Sequence, residues 1–154
     1  MANGTVHFAS DHAAVALRQA LITSAKNLGF TVIDHGPQST DSIDYPDQAI
    51  ALAHAMHGQP ESLGVLVCGT GIGMSMTANR FNHLRAAAVS DLFSAQATRA
   101  HNDANVLCMG ARTVGAGLAC AILEVFLSTP FEGGRHSRRL AKLPEGLSLG
   151  NDDD

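Results

Sequence analysis

Leu63-Gly64-Val65-Leu66-Val67-Cys68-Gly69-Thr70-Gly71-Ile72-Gly73 joins an apolar run to a thiol and three alternating glycines. The run has the length of a buried strand, and the glycines mark a tight turn after it. Glycine admits dihedrals closed to other residues and brings bare N–H groups close to a ligand. With a helix starting near Ile72, those donors would converge on an anion. Two readings stand at this level: a loop that holds negative charge beside a sulfur, or a plain strand-to-helix turn with Cys68 as a small buried apolar residue. Better-known loops are excluded by position. A dinucleotide fingerprint needs glycine where Met74 stands, a Walker A loop needs Gly-Lys-Ser/Thr, and a low-molecular-weight thiol phosphatase needs arginine, again at Met74.

Outward from this stretch, short β-like runs alternate with segments of helical period. Strands are expected at 6–9, 31–34, 63–68, 84–90 and 105–109. Between them, Ala14, Leu17, Leu21, Ala25 and Leu28 mark one helical face that Gly29 is placed to end. Further helices are expected at 46–57, opened by Pro46, and at 72–81, 92–100 and 114–127, the last stopped by Pro130. Five βα units predict an α/β fold in which a five-stranded parallel sheet carries helices on both faces. Such sheets bind ligands at the carboxyl ends of their strands.

At 154 residues the chain holds one domain, expected over 1–144, with the Asp-ending segment 145–154 read as a disordered acidic tail. Hydrophobic residues make up 45 %, and the formal net charge is −4, which speaks against nucleic acid or an acidic membrane surface as partner. Three cysteines at uninformative spacings argue against a disulfide framework and for a reducing compartment. Nothing resembles a signal peptide or a membrane-spanning run, so a cytoplasmic protein is expected.

Polar residues collect at the predicted carboxyl edge. Ser10-Asp11-His12 follows the first strand, residues 68–73 the third, Asp91 the fourth, and Arg112 the fifth. His101-Asn102-Asp103 instead ends the fourth helical segment, and could reach such a site only from another subunit. His54 and His57 could pair at a metal, but lack an evident third ligand and read as exposed histidines. Cys108 and Cys120 read as core thiols; Met56, Met74, Met76 and Met109 read as packing residues.

Asp11-His12, Asp44-Tyr45-Pro46, Cys68-Gly-Thr-Gly-Ile-Gly, His101-Asn102-Asp103 and Gly134-Arg135-His136-Ser137-Arg138-Arg139 occur in that order over residues 6–143. Together they resemble the ribose-5-phosphate isomerase B family, which includes galactose- and allose-6-phosphate isomerases. The resemblance implies a Rossmann-like three-layer sandwich, no nucleotide cofactor, no metal, and active sites between subunits of a homodimer or dimer of dimers. It also implies aldose–ketose interconversion of ribose 5-phosphate and ribulose 5-phosphate through an enediol. That chemistry needs a base beside a carbonyl and donors for the developing oxyanion.

By resemblance Cys68 is the base, favoured as a thiolate by a nearby helix N-terminus. Thr70 and the loop around Gly69, Gly71 and Gly73 stabilise the enediolate, while some relatives place a carboxylate where Met74 stands. His101 opens the sugar ring, Asp11 helps to hold the sugar hydroxyls, Asn102 takes part in substrate binding, and His12, Arg112, Arg135 and Arg139 bind phosphate; Arg138 is extra to the family's Arg-His-x-x-Arg pattern. Tyr45 either packs on the sugar or is buried beside Pro46. Taken alone, residues 135–139 would equally suit a solvated basic helix start, and His101 a surface or capping residue. Ala13, where many relatives have glycine, and Gln38-Ser39-Thr40 border the expected sugar pocket, so an allose or galactose 6-phosphate isomerase stays open as an alternative. So do a non-catalytic phosphosugar-binding domain and a hydrolase using Cys68 with His101.

Overall fold

A computed structural model describes residues 3–145 and folds them around one five-stranded, all-parallel sheet. The strands are β1 (Thr5–Ser10), β2 (Thr31–Asp34), β3 (Leu63–Cys68), β4 (Ala86–Ala88) and β5 (Val106–Gly110), in the spatial order β2-β1-β3-β5-β4. A short 3-10 turn (His12–Ala14) and α1 (Val15–Asn27) follow β1; α2 (Tyr45–Met56), α3 (Ile72–Ala78), α4 (Leu92–Asn102) and α5 (Ala116–Ser128) follow the other strands in turn. A last helix, α6 (Arg135–Leu140), closes the described chain. The acidic segment expected to be disordered lies, apart from Glu145, outside the described residues.

The strands bury alternate side chains on opposite faces, as the twofold period of a strand requires. Val6, Phe8, Val65, Val67, Leu107 and Met109 meet α1 and α5 through Leu21, Ile122 and Phe126. Ala9, Leu66, Cys68, Val106 and Cys108 meet α2 and α3 through Leu52, Met56 and Met74. The α/β sandwich expected from the sequence is therefore the fold. The order in which strands are added reverses between β1 and β3, which run parallel side by side with Ser10 opposite Val67. A crevice opens outside the strand ends at such a switch point.

Boundaries moved where side chains intervene. The third helix stops at Ala78, short of 81, because Asn79 turns away to clamp the edge strand: its Nδ2 donates to Ala86 O, and its Oδ1 accepts from Ala86 N–H, both at 2.8 Å. The fourth strand is shorter than 84–90, since Arg85 N–H donates to the Asn105 side chain (2.7 Å) and Asp91 already caps α4 by accepting from Ser94 N–H (2.7 Å). Hydrogen bonding from Ser94, its backbone N–H foremost, holds the Asp91 carboxyl below its ordinary range. Gly29, with φ +87°, ends α1 as expected.

Two assignments of side chains change. Cys120 is half-buried against the α1/α5 core, so it is not a core thiol of the kind that Cys108 is. Met76 is 64 % exposed on α3 instead of filling a packing gap. His54 and His57 are both exposed, as expected, and His57 lies just past α2 with its ring edge-on to His83 at 5.2 Å.

Candidate active site

Cys68 is the last residue of β3, buried to 5 % exposure, and its Sγ accepts a hydrogen bond from Gly71 N–H at 3.1 Å. The turn that makes this contact is possible only with glycine. Gly71 has φ +80°, and a Cβ there would lie 3.0 Å from the Met109 backbone. The N–H so aimed is placed to meet negative charge on the sulfur. Ile72 N–H donates to Thr70 Oγ1 (3.3 Å), so the turn spends two donors on its own side chains before α3 begins.

Two neighbours press on this turn. A Cβ on Gly73 would stand 2.5 Å from the Tyr45 ring, so the absent side chain makes room for an aromatic ring from the start of α2. Tyr45 is 40 % exposed, which removes the alternative of a buried tyrosine beside Pro46. The Arg112 side chain lies over Gly69, 3.6–3.8 Å from where a Cβ would be, while Arg112 N–H donates to Gly69 O (3.0 Å). Gly110, which sequence reasoning missed, has the same logic: a Cβ there would collide with Thr70 Cα at 2.6 Å.

These residues line a pocket of about 430 Å³ that holds Asp11, Tyr45, Cys68, Gly69, Thr70, Gly73 and Arg112, all of them expected from the sequence. Asp11 enters because its N–H bonds Val67 O, tying the end of β1 to β3, and its Oδ1 accepts from Ala13 N–H (3.0 Å). His12, next to it, accepts at Nδ1 from Ile43 N–H (3.1 Å), which leaves the ring proton on Nε2. Arg18, fully buried in α1, fixes the neighbouring loop by donating to Ser10 Oγ and Pro37 O at 2.6 Å and pairing with Asp34 at 3.0 Å. A lone arginine on the apolar face of the first helix was the available signal for it.

The remaining expected residues lie elsewhere in the same chain. His101, Asn102 and Arg139 line a larger cavity of about 990 Å³ together with His136, and the two cavities share no residue. Arg135 and Arg138 are exposed on α6. The separation follows from topology: α4 starts at the carboxyl edge after β4, and the nine residue steps from Leu92 carry His101 about 14 Å along the helix axis toward the other edge. Asp103 is structural, a left-handed C-cap (φ 45°) bridged to Arg85 (3.1 Å) and Arg99 (3.2 Å). The sequence also did not single out Glu132, whose carboxylate stands 3.4 Å from His136 Nε2 and 4.0 Å from His101 Nε2, with the two imidazoles stacked at 4.4 Å.

A thiol aimed at by an amide, beside a carboxylate, a tyrosine and an arginine, at the switch point of a parallel sheet, defines a site for proton transfer on a small anionic substrate. The profile of the family described as Ribose/Galactose Isomerase matches residues 6–143, and the chain belongs to that family. It is 41 % identical over 135 residues to ribose-5-phosphate isomerase B of Escherichia coli, covering 88 % of this chain and 91 % of that protein. It is 38 % identical over 140 residues to the D-erythrulose-4-phosphate isomerase of Pectobacterium atrosepticum, covering 90 % and 92 %. Among solved structures, ribose-5-phosphate isomerase B from Mycoplasma genitalium with bound ribulose-5-phosphate superposes with a TM-score of 0.88 at 37 % identity, covering 92 % of this chain and 95 % of that one.

Proposed function

We propose that this protein interconverts ribose 5-phosphate and ribulose 5-phosphate, with Cys68 as the base. The observation that carries the reading is the Cys68 sulfur, held by Gly71 N–H in the pocket that Asp11, Tyr45, Thr70 and Arg112 line. Starting from the open-chain aldose, the thiolate takes the C2 proton, the C–H pair forms the C1=C2 bond, and the C1=O π pair moves onto O1, giving a cis-enediolate whose oxygens face Thr70 and the glycine loop. A proton passes from the C2 hydroxyl to O1, C2=O forms, and Cys68 returns its proton to C1, giving the ketose. His12 Nε2–H and Arg112 take the phosphate from one side.

His101, Asn102, Arg135 and Arg139 complete the site from a second copy of the chain, in a homodimer or dimer of dimers. The division of the expected residues between two separate cavities supports this arrangement, because neither cavity alone holds both a base and a ring-opening acid. A cytoplasmic location belongs to the same reading, in keeping with three free cysteines. Sugar length is the open variable: the erythrulose-phosphate isomerase among the relatives is named for a four-carbon sugar.

Proton NMR in deuterium oxide tests the reaction. Ribose 5-phosphate should lose its C2 proton signal as deuterium enters C1 and C2 and ribulose 5-phosphate accumulates, faster than allose or galactose 6-phosphate under the same conditions. Release of a fragment would reveal a hydrolase, and binding without exchange a non-catalytic phosphosugar module. A faster six-carbon substrate would reassign the sugar.

A further inference from the structure

We propose that His101, Glu132 and His136 form a binding site for a divalent transition-metal ion of the zinc type, in a cavity separate from the same chain's own thiol pocket. The three come from separate elements: the last turn of α4, the loop before α6, and the first turn of α6. Backbone bonds hold them together, since Glu132 N–H donates to Ala100 O and His136 N–H to Gly133 O, both at 3.0 Å. Their ligand atoms all lie within 4.8 Å of one another. Both imidazoles turn the same atom, Nε2, toward one carboxylate oxygen, Oε2 of Glu132.

The spacing is close to what a small ion needs. Bonds of about 2.0–2.1 Å at tetrahedral angles set ligand atoms about 3.4 Å apart. The Glu132–His136 edge already has that length at 3.4 Å, and the Glu132–His101 edge at 4.0 Å closes by rotation of His101, 43 % exposed, and Glu132, 58 % exposed. His136, 5 % exposed, is the fixed member. Two imidazoles and one carboxylate with an open fourth position suit zinc, cobalt or nickel and offer too few oxygens for calcium or magnesium. His101 and His136 both line the 990 Å³ cavity, which has room for a water at a fourth position. The competing use of the same atoms is a Glu132–His136 ion pair, which needs no third partner. The convergence of His101 on the carboxylate is what the pair leaves unexplained.

Occupancy would consume the His101 lone pair and so inhibit isomerisation; that consequence rests on the ring-opening role proposed above, whereas the binding site does not. The full chain titrated with zinc chloride against a chromophoric chelator should show one ion bound per chain at this site. Glu132→Gln and His136→Gln should each weaken it about tenfold or more, and Cys68→Ala should leave it unchanged. Glu132→Gln alters an exposed side chain, so it decides the matter even if the His136 variant fails to fold. Cobalt in place of zinc should give the visible bands of tetrahedral nitrogen and oxygen ligation without an intense thiolate charge-transfer band. No binding, indifference to Glu132→Gln, or a thiolate band lost in Cys68→Ala would overturn the proposal. Zinc bound as described with ribose 5-phosphate turning over at full rate would leave the metal site standing and remove His101 from ring opening.

Discussion

Three thiols sit in three environments, and their order of reactivity separates activation from mere access. Burial pushes the Cys108 thiol far up, and the neighbouring Cys68 pushes it further. Cys120 is more exposed than Cys68, so iodoacetamide should modify it first if access governs. We expect Cys68 to react first and ribulose 5-phosphate to protect it, read by mass spectrometry of the labelled peptides; equal labelling would argue against an activated site thiol. Cys68→Ala should abolish turnover while calorimetry still detects substrate binding, because the proposed phosphate partners are other side chains. Turnover near the wild-type rate would eliminate Cys68 as the base. Arg139→Ala should weaken binding of ribose 5-phosphate by about 1.5–3 kcal/mol and leave free ribose little changed, the mark of a lost charged hydrogen bond.

At the scale of elements, two glycines on one turn predict different defects. Gly71→Ala puts a side chain at φ +80° and 3.0 Å from backbone that cannot yield, so urea unfolding should show a loss of about 2 kcal/mol or more. Gly73→Ala meets only the half-exposed Tyr45 ring. Stability should hold within about 1 kcal/mol while kcat/KM falls about tenfold to a hundredfold as the ring is displaced. The strand and turn at 63–73 were legible because their glycines obey local backbone sterics. The end of α3 was not, since it depends on Asn79 bonding Ala86 of the edge strand, a contact set by how that strand docks and not by helical period. The thiol half of the site was legible for the same local reason. That His101 would stack on His136 beside Glu132 depends on where α6 docks, which no period or spacing encodes.

A second pair of elements stores acid sensitivity. His7 on β1 and His35 after β2 stack at 5.3 Å, with Nδ1 of one 3.0 Å from Nε2 of the other, so a single proton serves the contact. Burial lowers the basicity of both, and for His7 the neighbouring His35 adds to it. The folded state thus binds protons less readily than the unfolded chain. The stabilisation is present above the unfolded value of about 6.5 and is lost as pH falls below it toward the lower folded values. Urea midpoints should therefore drop between pH 7.5 and 5.5, and drop less in His7→Phe, which removes the facing charge. An equal drop in both proteins would place the acid sensitivity elsewhere.

At the scale of the whole molecule, the proposed site takes its thiol from one chain and its imidazole from the partner. No helix among the described residues is long and apolar enough to cross a membrane, and exposed Ile72 and Met76 flank the thiol pocket on α3, where an approaching copy would cover them. Mixing inactive Cys68→Ala with inactive His101→Asn protein tests the arrangement directly, once mass spectrometry has confirmed that subunits exchange. Random exchange makes half of the dimers mixed. If sites are shared across the dimer, one of the two sites in each mixed dimer is intact, and isomerase activity should recover to about a quarter of wild type. Mixed dimers that form and stay at the background of either parent would place Cys68 and His101 in one subunit's site and contradict the shared active site.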